Sequence, residues 1–152
     1  MALLDFLWVI LITLVPGIEL RGSIPAGIGL GVDPYAVFLA AVLTNILLIP
    51  IIFIVLDKFW LKLAKYKFCR KSMERIWNRT HHRVRKHGYI ALTLFVAVPL
   101  PVTGAYTGSL IAWLLNMDRK KAFVAIAAGV LIAGVLVTLI VMGLLQAINW
   151  MI

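Results

Sequence analysis

Two long stretches of this chain carry no charge, Pro34 to Leu56 and Ala122 to Ile152. Each exceeds the roughly 18 residues that mark a membrane-span candidate. Each is preceded by an apolar stretch that Pro, Gly and polar residues interrupt. The chain divides into five pieces. A broken segment over 1–31 is interrupted at Pro16, Gly17, Glu19, Arg21 and Pro25, and a clean span runs over 33–56. A basic stretch occupies 57–88. A second broken segment over 89–115 is interrupted at Pro99, Pro101, Gly104 and Gly108, and a second clean span runs over 118–149.

The order repeats: broken segment, Asp, clean span (1–56), then the same again (89–152). Setting Val15-Pro16 against Val98-Pro99 puts Gly22 near Gly104, Pro25 opposite Gly108 and Asp33 near Asp118. Counted from each Asp, Ala40 and Thr44 match Ala125 and Gly129, small residues of the kind that let helices approach closely in lipid. Helices from Met1 to Val15 and from Tyr89 to Val98 would be about 22 and about 15 Å long, short of a hydrocarbon core of roughly 30 Å. Proline removes a backbone donor and clashes with the preceding turn, so both segments should open at their prolines. Each is either one kinked span or a re-entrant hairpin that leaves on the side it entered.

Charge bears on that choice. The net charge is +9, but the cations cluster from Lys58 to Lys86 and again at Arg119, Lys120 and Lys121. Both groups abut apolar spans, as cytoplasmic loops do, which argues against nucleic-acid binding. Kinked spans would put Arg119–Lys121 outside, whereas hairpins return them to the cytoplasmic side. The positive-inside rule therefore favours hairpins entering from opposite faces. Composition agrees on class: 63% of the 152 residues are hydrophobic, and a mean hydropathy of +1.04 is more than one soluble core could hide. The expected architecture is an all-α integral membrane protein, multi-pass in the cell membrane, in one domain over 1–152. It holds two inverted repeats, each a re-entrant helical hairpin followed by a transmembrane helix, with a cytoplasmic basic amphipathic loop over 57–88 between them. Met1 to Thr13 lacks a basic n-region and does not read as a signal peptide.

The stretches Pro16-Gly-Ile-Glu-Leu-Arg-Gly-Ser-Ile-Pro25 and Pro99-Leu-Pro-Val-Thr-Gly-Ala-Tyr-Thr-Gly-Ser109 resemble the two signature segments of the small multidrug export protein family. That family looks like a compact, distant relative of the DedA/VTT-domain superfamily, which includes lipid scramblases and flippases. The resemblance implies two re-entrant hairpins and transport of a lipid or other amphiphile. The DedA pattern usually places an arginine in its second hairpin, where this chain has Thr103 and Thr107.

Glu19 and Arg21 carry the sharpest chemical signal, because an ionisable group at membrane depth costs from about 2.5 kcal/mol upward. Two positions apart, they cannot pair within regular helix, so the backbone is unwound or each has a partner elsewhere. One reading gives Arg21 an anionic substrate and Glu19 a proton to carry. The other makes the first hairpin shallow, with Arg21 snorkelling to the interface. The second segment adds Thr103, Tyr106, Thr107 and Ser109. A half-helix starting there would aim free N–H groups and a positive dipole at the centre, a ready anion site, unless the hydroxyls merely cap backbone. Asn45 and Thr44 sit mid-span and either face the same cavity or satisfy their own helix. Phe59, Leu63, Tyr66, Met73, Trp77 and Val84 form an apolar stripe through the basic stretch, suited to lie along a membrane surface. His81, His82, His87 and Cys69 form no metal or nucleophile pattern, and no Walker, zincin or Ser-His-Asp motif appears, so neither an enzyme nor a cofactor is expected. Expected partners are membrane lipids, an anionic amphiphile and, through Ala125-Gly129-Ala133, a second copy of the chain.

Overall fold

The computed structural model describes residues 2–63, 88–100 and 103–151. Among them are six helices and no strand: α1 Ala2–Thr13, α2 Glu19–Gly29, α3 Pro34–Leu63, α4 Gly88–Ala97, α5 Ala105–Leu114 and α6 Arg119–Met151. The two clean spans become α3 and α6. Each contains a stretch long and apolar enough to cross a membrane, Pro34–Phe59 with mean hydropathy 2.8 and Arg119–Ile148 with 2.9. The 26 residues of the first reach about 39 Å as helix, beyond the hydrocarbon core. Many large apolar side chains along them stay exposed, including Leu39, Leu43, Leu47 and Ile51 on α3 and Val124, Leu131 and Leu139 on α6. Such continuous apolar surface suits lipid far better than water.

Both proline clusters break the helix, and at each break the chain folds back. Thr13 Oγ1 lies 2.7 Å from Ser23 Oγ, and Gly27 packs against Val9. In one continuous helix Thr13 and Ser23 would be about 15 Å apart, so α1 and α2 form an antiparallel hairpin. Gly17, at φ +88°, and Glu19, at φ +50°, make the reversal. In the second half Gly108 of α5 meets Val96 of α4, giving the same kind of return.

The exits from the two hairpins match bond for bond. At the end of α2, Gly31 N–H donates to Ile28 O and Val32 N–H to Gly27 O. At the end of α5, Asn116 N–H donates to Trp113 O and Met117 N–H to Ala112 O. Both are Schellman closures, with Gly31 (φ +82°) and Asn116 (φ +50°) at the left-handed position. An aspartate then caps the next helix: Asp33 Oδ1 accepts from Ala36 N–H at 3.0 Å, and Asp118 Oδ1 from Lys121 N–H at 2.9 Å.

Helices α3 and α6 run antiparallel. Asp57 near the end of α3 pairs with Arg119 at the start of α6, Val42 meets Gly134 further along, and Tyr35 and Met142 line one cleft beyond them. Arg119 holds Asp57 through two bonds of 2.7 and 2.9 Å, and Trp113 Nε1 adds a third at 2.8 Å. That cluster is exposed and contributes little to stability, yet it shows which ends lie together. Helix α2 packs against α1, α3 and α6, and α5 against α3 and α6, around a core that includes Val9, Ile24, Val37, Ile49, Ile126 and Val130.

The stripe Ala125-Gly129-Ala133 is not free for a second copy. Ala125 and Ala133 are buried, and Gly129 faces Val96 and the Thr93 carbonyl of α4. The small residues admit the chain's own short helix. Pro101, Cys69, His81, His82, His87, and Tyr66, Met73, Trp77 and Val84 of the apolar stripe lie outside the described residues.

Candidate functional site

Helix α5 begins at a residue that cannot cap it. Its N-cap is Gly104, which has no side chain to accept the first free N–H groups. Glu19 supplies the missing acceptor from the other hairpin. Glu19 is 3% exposed, and its carboxylate accepts from Ala105 N–H at 3.0 Å and Tyr106 N–H at 3.3 Å. Thr107 Oγ1 accepts from Gly104 N–H at 2.9 Å, completing the turn. The positive end of α5 thus holds an anion, and the anion is the chain's own Glu19.

Arg21 does the complementary work at the end of α4. Its Nη2 donates to Val96 O at 3.3 Å, Val98 O at 3.1 Å and Thr103 Oγ1 at 2.9 Å. Carbonyls at a helix C-terminus lack partners and carry partial negative charge, so a guanidinium suits them. A third tie runs the other way: the Tyr106 hydroxyl donates to Leu14 O just past α1, at 2.7 Å. Each break is satisfied by the other hairpin. The two residues of the E-x-R motif leave one helix in different directions, and each meets the helix end of opposite sign. Glu19 reaches its position with a left-handed backbone, a conformation that costs a non-glycine residue of order 1 kcal/mol or more and is held by the surrounding contacts.

The structure therefore brings together Glu19, Arg21, Thr103, Gly104, Tyr106 and Thr107. Pro16, Gly17 and Pro99 form the breaks themselves, and Pro25 lies inside α2. Arg21 is only partly buried, with Nε hidden and unpartnered among the described residues, so it does not snorkel freely to an interface. Sequence reasoning did not find the carbonyls of Leu14, Val96 and Val98, because backbone acceptors leave no mark in a sequence.

Two more polar side chains lie buried close by. Asn45 on α3 and Ser109 on α5 are fully buried, and Asn45 Oδ1 and Nδ2 and Ser109 Oγ have no hydrogen-bond partner among the described residues. Counting along antiparallel α2 and α3 from the Gly27–Val37 contact puts Asn45 at the level of Glu19. An unpaired buried amide costs about 1–3 kcal/mol, so Asn45→Leu should raise thermal stability in detergent by up to that amount. Thermal unfolding of wild type and variant side by side checks this.

No curated protein and no solved structure matches the chain. A family model does, one described as "Putative small multi-drug export protein", over residues 19–136, from Glu19 to about the middle of α6. The chain is thus a membrane protein that belongs to the small multi-drug export protein family.

Proposed function

We propose that the chain is a secondary exporter whose gate is the joint between the two helix breaks. The observation that carries this is the buried Glu19 carboxylate holding the start of α5 from another hairpin. A proton on that carboxylate removes its charge and one of its two acceptors. The hold on the α5 N-terminus weakens, and the tips can part. Loading a proton and opening a path thus become one event at one residue.

Several features support re-entrant hairpins meeting tip to tip from opposite faces. Arg119 lies beside Asp57, at the end of α3 where the basic stretch begins. A kinked span through α4 and α5 would carry Arg119 to the far side instead. The matching Schellman and Asp caps support a repeat, and the antiparallel course of α3 and α6 supports its inversion. With residues 57–88 cytoplasmic, Arg119–Lys121 share that face. For cargo, the partly exposed setting of the Arg21 side chain favours an anionic amphiphile reaching the joint from the bilayer.

One observation favours a second reading. Every described bond of Glu19 and Arg21 goes to backbone or to Thr103, as it would in a static brace within a membrane assembly protein. Reconstitution separates these readings. An exporter moves an anionic fluorescent amphiphile across proteoliposomes faster under an imposed proton gradient. A passive scramblase gives flux that ignores the gradient, and a brace gives none above empty vesicles.

A further inference from the structure

Away from the joint, α4 and α6 leave a groove of about 500 Å3 between them. That volume falls within the roughly 300–1,000 Å3 of sites that hold small organic ligands. Its walls are apolar side chains, Ile90 of α4 and Val124 and Ala128 of α6 among them. Thr93 also lines it, but turns its hydroxyl onto the carbonyls of Tyr89 (3.0 Å) and Ala125 (2.9 Å), and Tyr89 lines it as well. At one end stand Lys120 and Lys121, in the first turn of α6.

No described contact commits the charge of either lysine. Arg119 is spent on Asp57, and Asp118 accepts the Lys121 backbone N–H. No carboxylate pairs with either lysine side chain among the described residues. The groove runs from two cations at the head of α6 along an apolar wall for about 10 Å, the rise from Lys121 to Ala128. A charged head over an apolar slot matches a molecule that is anionic at one end and hydrocarbon beyond. A second, smaller groove between α3 and α6, of about 230 Å3, is lined by residues such as Tyr35, Phe38 and Leu139 and carries no charge. Of these two grooves, the α4–α6 one carries the cations.

We propose that this groove is a docking site for an anionic phospholipid of the surrounding bilayer, headgroup on Lys120 and Lys121 and acyl chain along Val124 and Ala128. It rests on the membrane reading and not on export, so it survives or fails separately from the gate at Glu19. The test is native mass spectrometry of the full chain in detergent, titrated with phosphatidylglycerol or with phosphatidylcholine of matched chains. Phosphatidylglycerol should bind more tightly. Lys120→Gln with Lys121→Gln should weaken it by about 25-fold, from about 1 kcal/mol per cation. Lys120→Arg with Lys121→Arg should retain it, and Lys58→Gln, outside the groove, should leave it unchanged. Ala128→Phe, which fills the slot, should weaken both lipids. Equal binding of the two lipids by the wild-type chain, or wild-type phosphatidylglycerol affinity in the double Gln variant, would overturn the proposal.

Discussion

Gly104→Ala is expected to be among the most damaging single-methyl changes in the chain. A Cβ at this position would collide with the Glu19 carboxylate itself. The backbone there is extended, at φ −176°, so alanine is acceptable to the main chain and space alone decides the outcome. The carboxylate must leave, and the N–H groups of Ala105 and Tyr106 lose their acceptor in a buried place. Each stranded donor costs about 1–3 kcal/mol, and the charge at the helix terminus adds up to about 2. A loss of at least about 3 kcal/mol lowers the unfolding midpoint by about 6–12 °C for a chain of this size. Gly108→Ala is the control. Its new methyl would stand 2.7 Å from Val96 Cγ2, the end of a side chain that can shift, so the drop should be much smaller. Thermal unfolding in detergent compares the two directly.

Glu19→Gln should both destabilise the chain and uncouple it. Glutamine keeps one oxygen for one N–H and turns an NH2 donor toward the other. It also discharges the α5 terminus, for a combined loss of about 2–3 kcal/mol. Glutamine resembles a permanently protonated Glu19, so transport should lose its dependence on the proton gradient. Reduced activity alone would not separate a broken gate from a weakened fold, since both follow from the same bonds. Gly108→Ala resolves this: it strains the packing of α5 while leaving the bonds of Glu19 in place. Gradient dependence retained in Gly108→Ala and absent in both Glu19→Gln and Gly104→Ala identifies the Glu19 joint as the proton-coupled gate. Gradient dependence retained in Glu19→Gln removes the proton step from it.

The long helices and the breaks were legible because they rest on local chemistry. An uncharged run of more than 20 residues and a proline next to a glycine need no tertiary information. The two long apolar helices, the helix breaks and the Asp that opens each long helix follow from the order of residues. The likeness of the two turns that lead into the long helices could have been read more sharply. Leu30-Gly-Val-Asp33 and Leu115-Asn-Met-Asp118 differ at the left-handed position only by Gly against Asn, the two residues that tolerate it best.

The joint itself was not legible. Spacing forbids a Glu19–Arg21 pair within a helix and so requires outside partners, but nothing in the sequence says those partners are backbone groups more than 70 residues away. An empty anion site at the head of α5 was expected, and Glu19 occupies it. The small-residue stripe on α6 was visible for the same reason as the spans. Its partner was not, because α4 and a second copy would demand the same small residues.

Sided cysteine labelling tests the opposed hairpins most directly. With Cys69, the single cysteine, replaced by Ser, single cysteines are placed at Tyr35, Lys58 and Lys120 and probed with an impermeant thiol reagent in sealed vesicles of known orientation. Lys58→Cys and Lys120→Cys should label from one face and Tyr35→Cys from the other. Labelling of Tyr35→Cys and Lys120→Cys from the same face would mean that α4 and α5 cross the membrane together, and would contradict two hairpins joined at their tips.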